Sequence, residues 1–184
     1  PIGCDVPETI ILADGDFPSH PLALEWLRQC PYVVCCDGAA NTYIRSGRMP
    51  EAIVGDGDSL LPDIKERYAS LIHSEAEQET NDLSKAFRFC LSQERKRITI
   101  MGATGKREDH TIGNVSLLAD YMEQAEVSMM TDYGIFVPIR EDSMFESYIG
   151  QQISVFNMNS TALSAEGLAY PLSCLLYTSP SPRD

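Results

Sequence analysis

Two carboxylates one residue apart, Asp56 and Asp58 in Gly55-Asp-Gly-Asp-Ser59, follow the short apolar run Ala52-Ile53-Val54. A run of that length after Pro50 has the character of a buried strand. Side chains at i and i+2 of an extended segment point the same way, so these two can converge on one cation. Like charges held that close need a positive partner, and Mg²⁺ is the usual one where a phosphate substrate shares the site. The competing reading is a surface turn, because Gly and Asp are ordinary turn residues. A second stretch has the complementary chemistry. Gly102-Ala-Thr-Gly105-Lys106-Arg107 follows the apolar run Arg97–Met101 and precedes a helical pattern. In that setting backbone N–H groups can cradle phosphate. Lys106 and Arg107 add positive charge, and Asp109 and His110 follow immediately. The loop is neither a Walker A sequence, since no Ser or Thr follows Lys106, nor a dinucleotide fingerprint. Its own competing reading is a solvated charge cluster.

The elements that must position these residues alternate in type. Thr9–Ala13, Tyr32–Cys36, Ala52–Val54, Ser70–His73 and Arg97–Met101 are apolar runs of strand length. Helical patterns lie between them: one from Pro21, a short one to about Ser46, and Asp63 to Tyr68. Another opens at Glu79-Thr-Asn-Asp82, where Thr80 or Asn81 can cap it. It places Leu83, Ala86, Phe87, Cys90 and Leu91 on an apolar stripe. There Asp82 is a favourable charge at a helix N-terminus, and Lys85 and Arg88 read as solvated partners on its outer face. A last helix over Thr111 to Gln124 turns Ile112, Val115, Leu118, Ala119 and Met122 inward. His20 and His73 receive no role. Strands alternating with helices predict an α/β fold, a Rossmann-like, mostly parallel sheet flanked by helices. In such sheets ligands bind beyond the carboxyl ends of the strands, and Asp14, Asp37, Asp56, Asp58 and the Gly102 loop all fall there.

From Val127 the pattern changes to short strand candidates separated by turns: Val127–Thr131, Gly134–Ile139, Ser143–Ser147 and Gln152–Asn157. They predict a smaller, incomplete antiparallel β-sandwich beginning somewhere around Thr131 to Glu141. The expected division is an α/β nucleotide-binding catalytic domain over 1–132 and a partial sandwich over 133–173. The tail over 174–184 resembles a translated sequencing adapter and is expected to be non-native.

Composition narrows the class. The 184 residues suffice for one sizeable domain or two small ones. A formal net charge of −13 argues against nucleic acid or an anionic membrane as partner. No apolar run approaches the roughly 18–20 residues of a membrane span. No basic start with an apolar core marks an export signal. The six cysteines follow no disulfide or metal-ligand spacing. The expectation is a reduced, cytoplasmic protein.

Four motifs in order carry a resemblance: Cys36-Asp-Gly-Ala-Ala-Asn41, Gly55-Asp-Gly-Asp-Ser59, Thr80-Asn-Asp-Leu-Ser-Lys85 and Gly105-Lys-Arg-Glu-Asp-His110. Together they resemble thiamine pyrophosphokinase of the bacterial type, and Gly167-Leu-Ala-Tyr-Pro-Leu172 is similar to a segment of that family's β domain. The resemblance implies transfer of a pyrophosphoryl group from ATP to the thiamine hydroxyl, with release of AMP, by a homodimer. It implies that Asp37, Asp56, Asp58 and Asp82 hold Mg²⁺, and that Asp56, Asp58, Asp82 and Asp109 serve catalysis. Nucleotide and phosphate contacts would come from Asp37, Gly38, Asn41, Gly102, Gly105, Lys106, Arg107, His110 and Asn114. Thiamine contacts would come from Gly167, Leu168 and Tyr170. Two departures stand out. Gly57 replaces a bulky residue of several relatives, and the family's last strands, with a Ser/Asn-bearing turn at thiamine, have no counterpart. Two other classes remain as alternatives: a haloacid-dehalogenase-like phosphatase, suggested by Asp56-x-Asp58 after a strand, and a non-catalytic nucleotide- or thiamine-binding fragment.

Overall fold

The computed structural model describes residues 5–74, 80–158 and 163–169. In chain order the elements are β1 (Thr9–Leu12), α1 (Pro21–Gln29), β2 (Val33–Cys36), α2 (Ala39–Arg45), β3 (Ala52–Val54) and α3 (Pro62–Arg67). A 3₁₀ turn at Ala69–Leu71 leads into β4 (Ile72–His73), followed by α4 (Asp82–Ser92), β5 (Arg97–Met101), α5 (Glu108–Tyr121), β6 (Glu126–Met130) and β7 (Ile135–Phe136). The strands form one sheet in the order β4-β3-β2-β1-β5-β6-β7. Each pair is parallel except β6 with β7.

The central strands β1, β2 and β3 are buried along their whole length because both sheet faces are covered there, as a parallel sheet requires. Successive side chains alternate between faces. Ile10, Leu12, Val33 and Cys35 pack with Trp26 and Leu27 of α1, Tyr43 of α2 and Ile64 of α3. Ile11, Val34, Cys36 and Ile100 pack on the other face with Leu83 and Phe87 of α4 and Leu118 and Tyr121 of α5. Each fully buried Ile, Leu or Phe contributes about 1.5–3 kcal/mol of transfer free energy. On the α4–α5 side the Phe87 and Tyr121 rings stack with centroids 3.9 Å apart. The Tyr121 hydroxyl meets Ser84 Oγ at 2.8 Å, and burial pushes its pKa up to about 12.

Local chemistry sets the helix starts. Pro21 opens α1, and His20 Nδ1 accepts from Leu22 N at 3.2 Å, so His20 is a cap. Asp132, just beyond β6, accepts from Ser19 N and His20 N, each at 2.9 Å, and from the Ser19 hydroxyl. These bonds pin the connection between β1 and α1 to the far side of the sheet, and the Ser19 hydroxyl leads in holding Asp132 below the usual carboxylate range. In α4 the cap is Asn81, whose Oδ1 accepts from Ser84 N at 2.9 Å; such a cap contributes about 1 kcal/mol.

The structure corrects several expectations. Helix α5 starts at Glu108, not Thr111, so Asp109 and His110 lie in its first turn. Its inward face runs through Leu118 and Tyr121, while Ile112 is 69% exposed and Ala119 is exposed. Strand β6 (Glu126–Met130) pairs in parallel with β5 and so belongs to the main sheet, inside the expected α/β span, with Thr131 just beyond it. Ile135 and Phe136 close that sheet's edge on β6. Ser143–Ser147 and Gln152–Asn157 are not strands. A strand forms where ladder partners and a face to bury are both available, and among the described residues neither is supplied there: Met144, Tyr148, Ile149 and Met158 are exposed. One compact unit runs to Met144 and a second begins at Phe145. No helix among the described residues is long and apolar enough to cross a membrane.

Candidate functional site

The chain lays β2, β3 and β4 outward on one side of β1, then returns to β5 on the other side. The loops after β1 and β5 therefore flank the switch point, where open α/β sheets bind ligands. These two loops are joined backbone to backbone. Ala13 N donates to Met101 O at 2.8 Å, Gly15 N to Gly102 O at 2.7 Å and Asp16 N to Thr104 O at 2.9 Å. The approach leaves no room for side chains. A Cβ on Gly15 would lie 2.4 Å from the carbonyl oxygens of both Gly102 and Thr104, and one on Gly102 would lie 2.6 Å from Ala13 O. Gly102 and Gly105 also take positive φ, +65° and +77°, which glycine adopts without penalty.

The remaining carbonyls of the β5 loop are also engaged. Asn114 Nδ2 donates to Ala103 O at 2.8 Å and Arg107 N to Gly105 O at 2.6 Å. The carbonyls of residues 102–105 thus all accept within the chain. Lys106 follows in a left-handed conformation, φ +57°, and its Nζ donates to Asp14 Oδ1 and Asp14 O at 3.0 and 3.1 Å. Arg107 and Asp109 form an exposed bidentate pair, which raises the one pKa and lowers the other. His110 is exposed.

The acidic side is built on the loops after β2 and β3. Asp37 is 4% exposed and sits at φ +28°. Its Oδ2 accepts from Ser59 N at 3.0 Å, while Oδ1 is buried with no hydrogen-bond partner among the described residues. Burial raises its pKa, the Ser59 bonds oppose that, and the charges of Asp56 and Asp82 add to it. Asp56 and Asp58 are both exposed, and Asp56 Oδ1 accepts from Asp58 N at 3.0 Å. Gly57 between them takes φ +75° and its carbonyl accepts from Lys65 Nζ at 2.9 Å. The turn thus accounts for the glycine. Asn41 uses both ends of its amide on the same loop, donating to Ser59 O at 2.8 Å and accepting from Leu61 N at 2.9 Å. Asn114, besides bracing the β5 loop, accepts from Asn81 Nδ2 at 3.4 Å.

Two residues take places the sequence did not suggest. Lys85 is buried, not solvated, and its Nζ lies 3.0 Å from Asp82 Oδ1. It therefore orients the Asp82 carboxylate from within the core. Asp14 carries the Lys106 contact, and the signal for it was its position directly beyond the first strand. In the second unit Gly167 is exposed at φ +81° and Leu168 is half-buried; Tyr170 lies outside the described residues.

The donor set fits a magnesium ion. Asp37 Oδ1 is an orphaned buried oxygen of the kind a cation satisfies, and Asp56 and Asp58 present further carboxylates. Among the described residues no three His, Cys, Asp or Glu side chains close into a metal cage by themselves. Mg²⁺ is characteristically held by one or two carboxylates with waters and substrate phosphates, and needs no such cage.

The glycine-rich loop after β5 and the carboxylates after β2 and β3 thus lie at one edge of an open, mostly parallel α/β sheet. The comparisons name its family. The model of the thiamin pyrophosphokinase catalytic domain matches residues 23–130, and that of the thiamin pyrophosphokinase substrate-binding domain matches residues 134–178. The chain belongs to the thiamin pyrophosphokinase family. It is 30% identical over 129 residues to thiamine pyrophosphokinase 1 of Oryza sativa subsp. japonica, covering 56% of this chain and 49% of that one. It is 34% identical over 86 residues to thiamine pyrophosphokinase of Bacillus subtilis, covering 45% and 40%. The crystal structure of thiamin pyrophosphokinase from Geobacillus thermodenitrificans superposes with a TM-score of 0.55 at 26% identity, covering 66% of this chain and 58% of that one. The chain spans about half the length of the curated relatives it matches. The haloacid-dehalogenase alternative gains nothing from these matches, and the Asp56-x-Asp58 pair follows the third strand, not the first.

Proposed function

We propose that this chain carries the activity of its family, transfer of the pyrophosphoryl group of ATP to the hydroxyl of thiamine with release of AMP. The observation that supports this most is the pairing, across one switch point, of the amide-rich Gly102–Gly105 loop with the carboxylates of Asp37, Asp56, Asp58 and Asp82. The polyphosphate would lie on the loop amides, with Lys106 and Arg107 offsetting its charge. Gly38 leaves room beside Asp14, and Asn41 and Asn114 act by bracing the acidic and basic loops respectively. Mg²⁺, held by oxygens of Asp37, Asp56, Asp58 and Asp82, would neutralise charge on the non-bridging phosphate oxygens when bound.

The thiamine hydroxyl oxygen attacks the β-phosphorus, the bond from that phosphorus to the bridging oxygen of AMP breaks, and the hydroxyl proton passes to a carboxylate of the acidic group. Two or three of these carboxylates would suffice for Mg²⁺, which would leave another of the group to accept the proton. Reactions of this kind depend chiefly on positioning and electrostatics, which this arrangement of fixed loops provides. Asp109 keeps Arg107 oriented, and His110 completes the rim. Residues 1–132 would form the nucleotide-binding catalytic domain and 133–173, with Gly167, Leu168 and Tyr170, part of the thiamine-binding domain. The longer protein would act as a cytoplasmic homodimer without nucleic-acid or membrane partners.

Product analysis with ATP, Mg²⁺ and thiamine tests the proposal. Thiamine-dependent AMP without ADP is the expected result. Binding of Mg-ATP with no AMP, in this chain and in one extended to the length of its relatives, would reduce the chain to a nucleotide-binding module. Thiamine-independent phosphate release from small phosphoesters would reinstate the phosphatase reading.

A further inference from the structure

We propose that Asp14 is a positioning residue for the ATP polyphosphate, holding Lys106 Nζ over the switch point between the basic and acidic loops. The inference rests on the nucleotide reading given above and adds to it a residue on which that reading did not depend.

Asp14 makes contact in two directions. Its Oδ1 and its carbonyl oxygen both accept from Lys106 Nζ, at 3.0 and 3.1 Å. Its Oδ2 faces Gly38, where a Cβ would lie 2.5 Å from that oxygen and 3.1 Å from Ser59 Cβ. Ser59 N in turn donates to Asp37 Oδ2. One carboxylate therefore reaches the anion loop through Lys106 and abuts the loops that carry Asp37 and Asp56. The absence of a side chain at residue 38 is what lets it lie there.

The backbone fixes Asp14 in that place. The ladder bonds of Ala13 to Met101 and of Gly15 to Gly102 stand on either side of it. A free lysine on a loop samples many rotamers. Lys106, held at two points and in a left-handed backbone conformation, presents its ammonium in one place. Lys106 and Asp14 side chains are 54% and 45% exposed. A pair so exposed adds little to folding stability, so its consequence is expected in ligand binding and not in the melting temperature. The ammonium keeps a third donor for a phosphate oxygen, which allows Asp14 and the polyphosphate to hold it together.

A double-mutant cycle on the full 184-residue chain reads this directly, with Mg-ATP and inorganic tripolyphosphate as the titrated probes. Asp14→Ala should weaken both by about tenfold, within the range of coupling energies between directly contacting groups. The melting temperature should be unchanged. In a Lys106→Met background the same substitution should alter binding less than about twofold, since its target has gone. Asp14→Asn, which retains an oxygen acceptor, should recover part of the loss. In turnover, KM for ATP should rise while kcat at saturating ATP holds.

Equal losses from Asp14→Ala in both backgrounds would overturn the inference, as would unchanged or tighter binding in the parent background. Failure of the parent chain to bind either probe would overturn it too. Non-additive binding with no thiamine-dependent AMP would leave the inference standing and remove the proposed reaction. AMP formation with additive substitutions would do the reverse.

Discussion

The basic and acidic halves of the site are built by different means. Around Gly102–Gly105 the structure is made of backbone: ladder bonds to the β1 loop, glycines packed against carbonyls, and amides left to the ligand. Its shape is set before anything binds. Around Asp37 and Asp56 the structure is made of side chains: a buried carboxyl with one orphaned oxygen, an exposed pair on a glycine turn, and Asp82 held by a buried lysine. Its negative charge is what the proposed Mg²⁺ would offset. Anions can be received by main-chain groups that every residue carries, whereas cations need oxygens that specific side chains supply. Substitutions should therefore damage the first half through shape and the second through charge.

The largest effect on turnover is expected at the acidic half. Asp56→Asn should lower kcat by about 10²–10³, the loss typical of removing one preorganised electrostatic group. Its far-ultraviolet circular dichroism and melting temperature should match the parent. Unchanged AMP formation by this variant would end the assignment of Asp56.

Gly15→Ala should break the basic half through shape. The new methyl meets two carbonyl oxygens at 2.4 Å, and relieving that by backbone movement should cost about 1–3 kcal/mol of stability. Denaturant midpoints should report the loss, with nucleotide affinity falling beside it. Parental stability would show that the two loops are not held as tightly as their ladder bonds indicate.

Lys85→Met should separate charge from packing. Because the Asp82 side chain is 37% exposed and water can solvate it, the apolar replacement should cost only about 1 kcal/mol of stability, while the Mg²⁺ concentration needed for half-maximal activity rises about tenfold, as when an outer partner of a metal ligand is lost. An unchanged Mg²⁺ requirement would mean that Asp82 is oriented without it.

The smallest effect is in stability against pH. Burial raises the Asp37 pKa, so the folded state holds that proton more tightly than the unfolded chain. Stability is then greatest below the ordinary carboxylate pKa and is lost as pH rises through the raised one. Asp37→Asn, which tolerates the positive φ, should melt higher than the parent at neutral pH, with the difference fading on acidification. Added Mg²⁺ should raise the parent's melting temperature and leave the variant's unmoved. A parent indifferent to Mg²⁺ would remove Asp37 from the ligand set.

Much of the α/β unit was legible because its signals are local. Thr9–Leu12, Val33–Cys36 and Arg97–Met101 are apolar on both faces, and Pro21 and Asn81 mark helix starts by the backbone groups they leave free or satisfy. The acidic loops were legible for a related reason, since strand ends and their turn residues are adjacent in the chain. What local pattern could not supply was pairing. Residues 126–130 and 135–136 have the same short-strand character as 143–147 and 152–157, yet the former pair with β5 and β6 while the latter have no ladder among the described residues. Ile112 looked inward by periodicity, but α5 buries residues only towards its C-terminal end, at Leu118 and Tyr121.

By itself the sequence determined the layered architecture, the placement of the acidic and basic loops at one sheet edge, and the motifs that carry the family. These follow from residue types, spacing and turn chemistry within short stretches of chain. Only the tertiary structure decided that Lys85 is buried against Asp82, that both ends of the Asn41 amide bond the loop after β3, and that Asp14 meets Lys106 across 92 residues. Those partners are set by which strands lie side by side, and a crossover that returns to β1's free edge brings together loops that no local pattern relates.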